Sequence, residues 1–523
     1  MVQKMNLSAD HVNVKGTGRA AETTNQYIKR TQARKLKHSQ EYTSSRFAFG
    51  ASLAIGVVIL LFSIDFAEKS ISPVAAVVAA VFLVESAFEL LISLLLRSAV
   101  LQDREISRSL RLSGLLSAVM VLNGNIFAFI AGFTCMQKEK TLEYTLSIYM
   151  TLTTVCIVLV SALNLFKEYV ADTFLLGMYL LAGLIVFDLL AMFLISKWVK
   201  RRTTDKKMLP LAICLILSAV TGNVFALLIG IISISKLCHK DKEISIEWID
   251  IINRLFRNNM SIMGMFVVVF LISLSLCSYL TFDYSIAVEN NYTAMLIAPC
   301  LEYPFGTDNF GRCVFTRIVF GARISLVIGM LATAAPLIFG GLLGAVAGYY
   351  SGKIENIIMR ILDVLYAVPS ILLAIAIVAA FGANTTNLIL ALSVSSIPVY
   401  ARTVRATVMG LSNAEFVEAA RACGARDWVI IIKHIIPNSL APIIVRATMG
   451  IGTAVLSTSS MSYLGLGVEP HIPEWGNILK IGSSYLETNP YLAIFPGLAI
   501  MLIVLAFNFF GDGLRDATDP KLK

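Results

Sequence analysis

Apolar runs of spanning length alternate with polar connections along most of the chain. A helix needs about 20 mostly apolar residues to cross a bilayer. Six such runs fall in the first half, at 47–66, 74–97, 110–136, 144–166, 173–196 and 208–236. Six more follow, at 260–281, 323–350, 358–381, 386–404, 438–464 and 491–511. The pattern predicts an all-α polytopic membrane protein of about 12 transmembrane helices, six in each half. Residues 237–258 between the halves are polar. Within them Ile246, Ile249, Ile252 and Leu255 recur at helical spacing, which predicts an amphipathic surface helix.

The first half carries an internal duplication. Asn123-Gly124-Asn125-Ile126-Phe127-Ala128 returns as Thr221-Gly222-Asn223-Val224-Phe225-Ala226, and Leu-Ser-Ala-Val precedes each copy at 116–119 and 217–220. Each copy also follows a basic loop, 97–111 and 197–207. If each unit crosses three times, one basic loop must face outside, against the positive-inside tendency. If the Gly-Asn segments do not fully cross, both loops stay inside. Segment length favours six crossings. Either way the chain returns to the starting side before the linker.

Composition supports the membrane reading. The 523 residues are 57% hydrophobic and 15% charged, with mean hydropathy +0.76. Soluble chains carry about 25% charged residues, so a soluble enzyme, a disordered chain and a secreted disulfide scaffold are excluded. The net charge of +9 belongs with inside-facing loops rather than nucleic acid. Lys4, Lys15, Arg19, Lys29, Arg30, Arg34, Lys35, Lys37 and Arg46 make residues 1–46 a basic cytoplasmic tail, and residues 47–236 read as an accessory membrane domain. Parity then places 282–322 and 465–490 outside, 405–437 inside, and both termini in the cytoplasm. None of the eight cysteines forms a CxxC pair. Cys300 and Cys313 share one polar loop and could pair if that loop faces an oxidising compartment; the sequence leaves the pairing open.

Residues 405–437 are long and polar for a connection between two spans. Glu415, Glu418, Ala419, Ala420 and Arg421 favour helix, Gly424 permits a turn, and a second amphipathic stretch runs from Asp427 to Pro437. The expectation is a helix–turn–helix knob at the membrane surface, able to transmit force to a soluble partner. Asp363 and Arg360 are spaced for a local pair. Pro369, Pro398 and Pro496 mark kinks, the small residues of 341–348 suit close helix packing, and Trp475 and Tyr485 read as interfacial anchors.

Glu418-Ala419-Ala420, Gly424 and His434-Ile435-Ile436-Pro437 together resemble the EAA loop of bacterial ABC import permeases, in the dipeptide/oligopeptide/nickel branch. Gly306-Thr307-Asp308 with Gly311-Arg312 resembles that branch's GTDxxGRD signature, with Cys313 where Asp is usual. Tyr463-Leu464-Gly465-Leu466-Gly467-Val468 with Trp475-Gly476-Asn477, and Gly511-Asp512-Gly513-Leu514-Arg515-Asp516 with Asp519-Pro520, resemble its later signatures and the second, C-type permease. The resemblance covers residues 259–523 as a permease domain; nothing before it resembles the family.

The resemblance implies a peptide importer subunit in the bacterial plasma membrane, with nickel or another small solute as the alternative. It implies a second permease subunit, two cytoplasmic ATPases that use ATP and Mg, and an extracytoplasmic solute-binding protein. This chain would bind no cofactor or metal and carry no catalytic residue. Glu418, Ala419, Ala420, Gly424 and Pro437 would couple to the ATPase, Glu418 by pairing with a basic group. Gly306, Asp308, Gly311, Arg312, Glu474 and Trp475 are the expected docking residues for the binding protein. No P-loop supplies energy here: Gly348-Tyr349-Tyr350-Ser351-Gly352-Lys353 is one residue short of that motif and lacks the hydroxyl after Lys. The five His are scattered and no GxSxG occurs. A secondary transporter would instead need ionisable residues spread through the bundle, and a scaffold or sensor role fits the first half alone.

Overall fold

The computed structural model describes residues 35–36, 39–65, 70–71, 73–102, 104, 107–136, 141–166, 170–199, 205–238 and 244–519. Most of the basic tail lies outside these residues. The regular secondary structure of the described residues is helical apart from a two-residue antiparallel pairing of Ile64–Asp65 with Ser70–Ile71 and an isolated bridge between Thr307 and Cys313. Contacts divide it into two units, residues 1–140 and 141–523.

The first unit contains α1 (Gln40–Ser63), α2 (Pro73–Leu101), α3 (Arg108–Val119) and α4 (Ile126–Met136). The second opens with the same series, α5 (Leu142–Ala162), α6 (Phe174–Trp198), α7 (Met208–Ser218) and α8 (Val224–Cys238). Helices α3, α4 and α7 are too short to cross, at about 18 Å or less, and α8 reaches only about 22 Å. The expected crossings at 110–136 and 208–236 are therefore hairpins of two short helices. The break has a physical cause: a 3₁₀ turn leads into Gly124 (φ +82°) and Gly222 (φ +83°), a left-handed backbone that glycine adopts without strain. A Cβ on Gly132 would overlap the Gly114 carbonyl, and one on Gly230 would reach the Ala212 carbonyl, so small residues let the arms of each hairpin close.

Each hairpin tip is pinned by polar side chains. In the first repeat the Asn125 amide donates to Glu85 (2.8 Å) and Ser52 (2.9 Å), and Asn123 donates to Glu85 (2.7 Å). In the second, Thr154 donates to Asp188 (2.7 Å) and Asn223 donates to the Met150 carbonyl (3.0 Å). Phe47–Phe127 and Tyr149–Phe225 repeat one ring contact, each at 5.8 Å. The duplication is thus a structural one, a hydroxyl, a buried carboxylate and an Asn in matching places.

The linker helix is α9 (Ile244–Leu255). The permease-like core follows: α10 (Asn259–Thr281), α11 (Val314–Tyr350), α12 (Gly352–Ala367), α13 (Ser370–Phe381), α14 (Thr385–Leu411), α15 (Glu415–Ala422), α16 (Ile436–Leu464), α17 (Trp475–Ser483) and α18 (Tyr491–Thr518). Among the described residues nine helices are long and apolar enough to cross, and α12 with α13, bent by 84° at Val368-Pro369, make a tenth candidate. Four of these ten lie in the first half and six in the core, rather than the 12 expected. Gly340, Gly344 and Gly348 sit one turn apart on α11, against the carbonyls of Ile397, Ala401 and Arg405 on α14. This small-residue stripe gives the close packing of the two helices.

The second repeat packs directly on α10. Asn164 donates to the Thr281 carbonyl (2.7 Å), Ser161 to the Thr281 hydroxyl (3.2 Å) and Thr173 to the Leu280 carbonyl (3.1 Å). Gly177 and Gly222 bring their backbones against Leu280 and Ser273. The sequence puts the boundary of the accessory part at 236/237, at a polar linker; packing puts the division at 140/141, because buried polar contacts tie residues 141–238 to the core.

Candidate functional site

Helix α14 runs on to Leu411, so the 405–437 segment begins inside a helix. Helix α15 then lays one face on the protein: Val417 is buried with Ala345, Val404, Val408, Ile430, Ile431 and Ile435. Glu418 and Ala419 face outward, and Ala420 is half-buried against the cluster. Among the described residues the Glu418 carboxylate makes no hydrogen bond or ion pair, while its backbone N–H donates to the Ala414 carbonyl (3.3 Å). Gly424 has φ +79° and open space around it, so glycine is needed here for its backbone and not for a close approach.

The second stretch does not stop at Pro437. A turn at Asp427–Ile430 passes through a π-turn, Ile431–Ile435, straight into α16, with Pro437 in its first turn. Pro lacks an N–H, and the first helical turn is where none is needed. Phe416 and Trp428 are exposed beside the outward carboxylates.

Tyr349, at the end of α11, fixes this knob. Its hydroxyl donates to Asp427 (2.7 Å) and accepts from Arg421 (3.1 Å). The hydrogen bond from Arg421 to Tyr349 holds that guanidinium above its usual range. Asp363 does not pair with Arg360, as spacing had implied. It accepts from Arg402 on α14 (2.6 Å), whose guanidinium also lies over the Tyr366 ring at 3.9 Å. Glu355 accepts from Arg405 (Nε, 2.7 Å). Two ion pairs thus strap α12 to α14, next to the knob. Sequence spacing favours local partners and could not show these.

The other end of α11 carries the GTD segment. Asp308 accepts from the Phe310 and Arg312 backbone N–H (2.9 Å each) and from Arg312 Nε (2.8 Å), and Gly306 and Gly311 take φ of +74° and +75°. Arg317 is buried, donates to the Ala287 carbonyl and lies 3.9 Å from Asp308, with Nε and Nη2 unbonded. Cys313 and Cys300 are both free thiols, Cys313 buried and Cys300 exposed.

The expected docking residues lie inside. Glu474 is 0% exposed: it caps α17 through Gly476 and Asn477 N–H and accepts from Ser325 and Ser459. Trp475 is 1% exposed, with its indole N–H on the Ile318 carbonyl (2.9 Å), so it is a core brace and not an interfacial anchor. Gly306, Asp308, Gly311 and Arg312 are buried as well. All six are buried and shape the loops. Exposed positions include Tyr292, Met295 and Leu301 in one loop and Glu469, Pro470 and His471 in the other.

Residues 340–523 match the family described as binding-protein-dependent transport system inner membrane component. The chain is 46% identical over 276 residues to the dipeptide transport system permease protein DppC of Alkalihalophilus pseudofirmus, covering 53% of this chain and 90% of that protein. It is 41% identical over 284 residues to the glutathione transport system permease protein GsiD of Pectobacterium atrosepticum, covering 54% and 94%. A solved inward-facing form of the MetNI methionine ABC transporter aligns at 20% identity and a TM-score of 0.34, over 39% of this chain and 97% of that one.

Proposed function

The chain belongs to the family of binding-protein-dependent transport system inner membrane components, and from that premise we propose that it forms half of the translocation path of an ATP-driven importer of short peptides. It is a multi-pass membrane protein and a transport component rather than an enzyme. Its likeness over nine-tenths of a dipeptide permease carries the substrate class, and the glutathione permease, itself a tripeptide carrier by name, agrees with it.

The mechanism rests on the knob at α15. An ATPase dimer that closes on ATP pushes on Glu418 and Ala419, which stand outward on a short helix. The push reaches the spans through two routes: Tyr349 to α11 and the buried Val417 cluster to α14. Because α11 and α14 share a glycine stripe, they move as one packed pair. The exposed tips around Tyr292–Leu301 and Glu469–His471 lie at the opposite end of α11 and receive the solute-binding protein. The partners are a second permease, two ATPases and that binding protein; residues 1–140 are accessory to them.

The test is uptake of labelled dipeptide, glutathione and nickel by a deletion strain complemented with this chain. Restored peptide uptake, lost in Glu418→Lys and Gly424→Trp variants that still insert, is the expected result. Restored nickel uptake alone overturns the substrate class, and full activity in both variants overturns the role of the knob.

A further inference from the structure

The two repeats have the same internal architecture but not the same surroundings. The second covers one face with α10. Gly222 at its hairpin tip meets Ser273 and Leu276, the Cys277 thiol lies 3.7 Å from the Thr221 carbonyl, and Leu181 packs with Cys277. The apolar stretch of α5, which packs on α6 and α8 as well as on α10, is 67% buried. The matching stretch of α1 is 22% buried.

The difference maps to the same face. The correspondence that sets Ser52 on Thr154 sets Val58 on Val160, which packs among Leu274 and Phe282. Val58 is 50% exposed. The correspondence that sets Glu85 on Asp188 sets Val78 on Leu181, and these are 40% and 5% exposed. Around Gly124 there is open space where Gly222 meets a helix backbone. The first repeat therefore keeps the internal polar pins of its twin, at a cost in buried carboxylate, and shows bare the surface that its twin uses.

We propose that this face of the first repeat, Val58, Val78 and the Gly124 tip, docks a transmembrane helix of the second permease subunit. The inference rests on the permease reading above. The twin defines the chemistry of the occupant: a helix with small polar side chains one turn apart, as Ser273, Cys277 and Thr281 stand on α10, which lets the glycine tip approach its backbone. A second copy of this chain does not fit, because its own α10 is already covered by its second repeat. The second permease is taken as the occupant because it is the one other membrane-spanning partner of the importer proposed above. The two repeats would then hold the two halves of the pathway, one in cis and one in trans.

The experiment places the photo-reactive residue p-benzoylphenylalanine at Val58 and, separately, at Val78, in the full chain co-expressed with the importer. Two positions guard against one variant failing to fold. After irradiation in the membrane, the complex is purified by a tag on this chain and the adducts are identified by mass. The expected adduct joins this chain to the second permease, in the segment that aligns with residues 259–281, and is at least 10-fold above the yield from dark controls. An adduct with a second copy of this chain, or with lipid alone while the second permease co-purifies, overturns the docking and leaves the permease reading standing. A complex with no second permease overturns both.

Discussion

The Tyr349 hydroxyl and the Asp427 carboxylate are joined by a 2.7 Å hydrogen bond across 78 positions of sequence. Tyr349 stands at the end of α11, and Asp427 opens the return arm of the knob, so the bond links the two. Tyr349→Phe removes it and the Arg421 bond while keeping the ring. An exposed hydrogen bond contributes about 1 kcal/mol. We expect normal insertion, with peptide uptake lowered about 5-fold at unchanged ATPase binding. Unchanged uptake in reconstituted vesicles counts against the Tyr349 route.

Arg317 is buried with two nitrogens unbonded, and Cys313, the N-cap of α11, gives no side-chain hydrogen bond. Cys313→Asp adds a capping acceptor worth about 1 kcal/mol and a negative charge at a helix N-terminus. It also puts a counter-charge one turn from Arg317. The melting temperature in detergent should rise by about 2 °C or more. Cys313→Ala should leave it nearly unchanged, and a fall with Asp removes the capping argument.

Glu85 accepts from both Asn123 and Asn125 in an apolar setting. Asn125→Leu leaves the carboxylate short of a donor, which costs about 1–3 kcal/mol or more. The double variant Glu85→Leu/Asn125→Leu removes the stranded charge and should be more stable than Asn125→Leu alone. Thermal melting of the four proteins gives the coupling. Additive losses would show that the pair is not what pins the hairpin.

Truncation separates the two boundaries. A chain starting at Thr141 keeps every contact of the second repeat with α10 and should elute as a single species. A chain starting at Ile244 bares Thr281, Leu280 and Cys277 and should aggregate or express several-fold less. Equal behaviour of the two on size exclusion would return the boundary to the linker.

Sequence alone determined the elements whose cause is local. An apolar run of about twenty residues with no break in it makes a span, Ile246 to Leu255 mark an amphipathic helix by spacing, and Glu418 to Gly424 make a helix and a turn by propensity. Repetition of Gly-Asn at 124–125 and 222–223 likewise revealed the duplication. What these segments do depends on partners far along the chain. Hydropathy averages over 110–136 and 208–236 read as crossings, because a single left-handed glycine hardly changes an average but does turn the chain. Glu474 and Trp475 look like surface residues by type, yet Ser325, Ser459 and the Ile318 carbonyl satisfy them inside. Asp363 found Arg402 rather than Arg360 because helix packing sets which charges meet. Only the tertiary structure could show that one repeat is covered by α10 and its twin is bare, since burial belongs to pairs of surfaces and a sequence describes each surface separately.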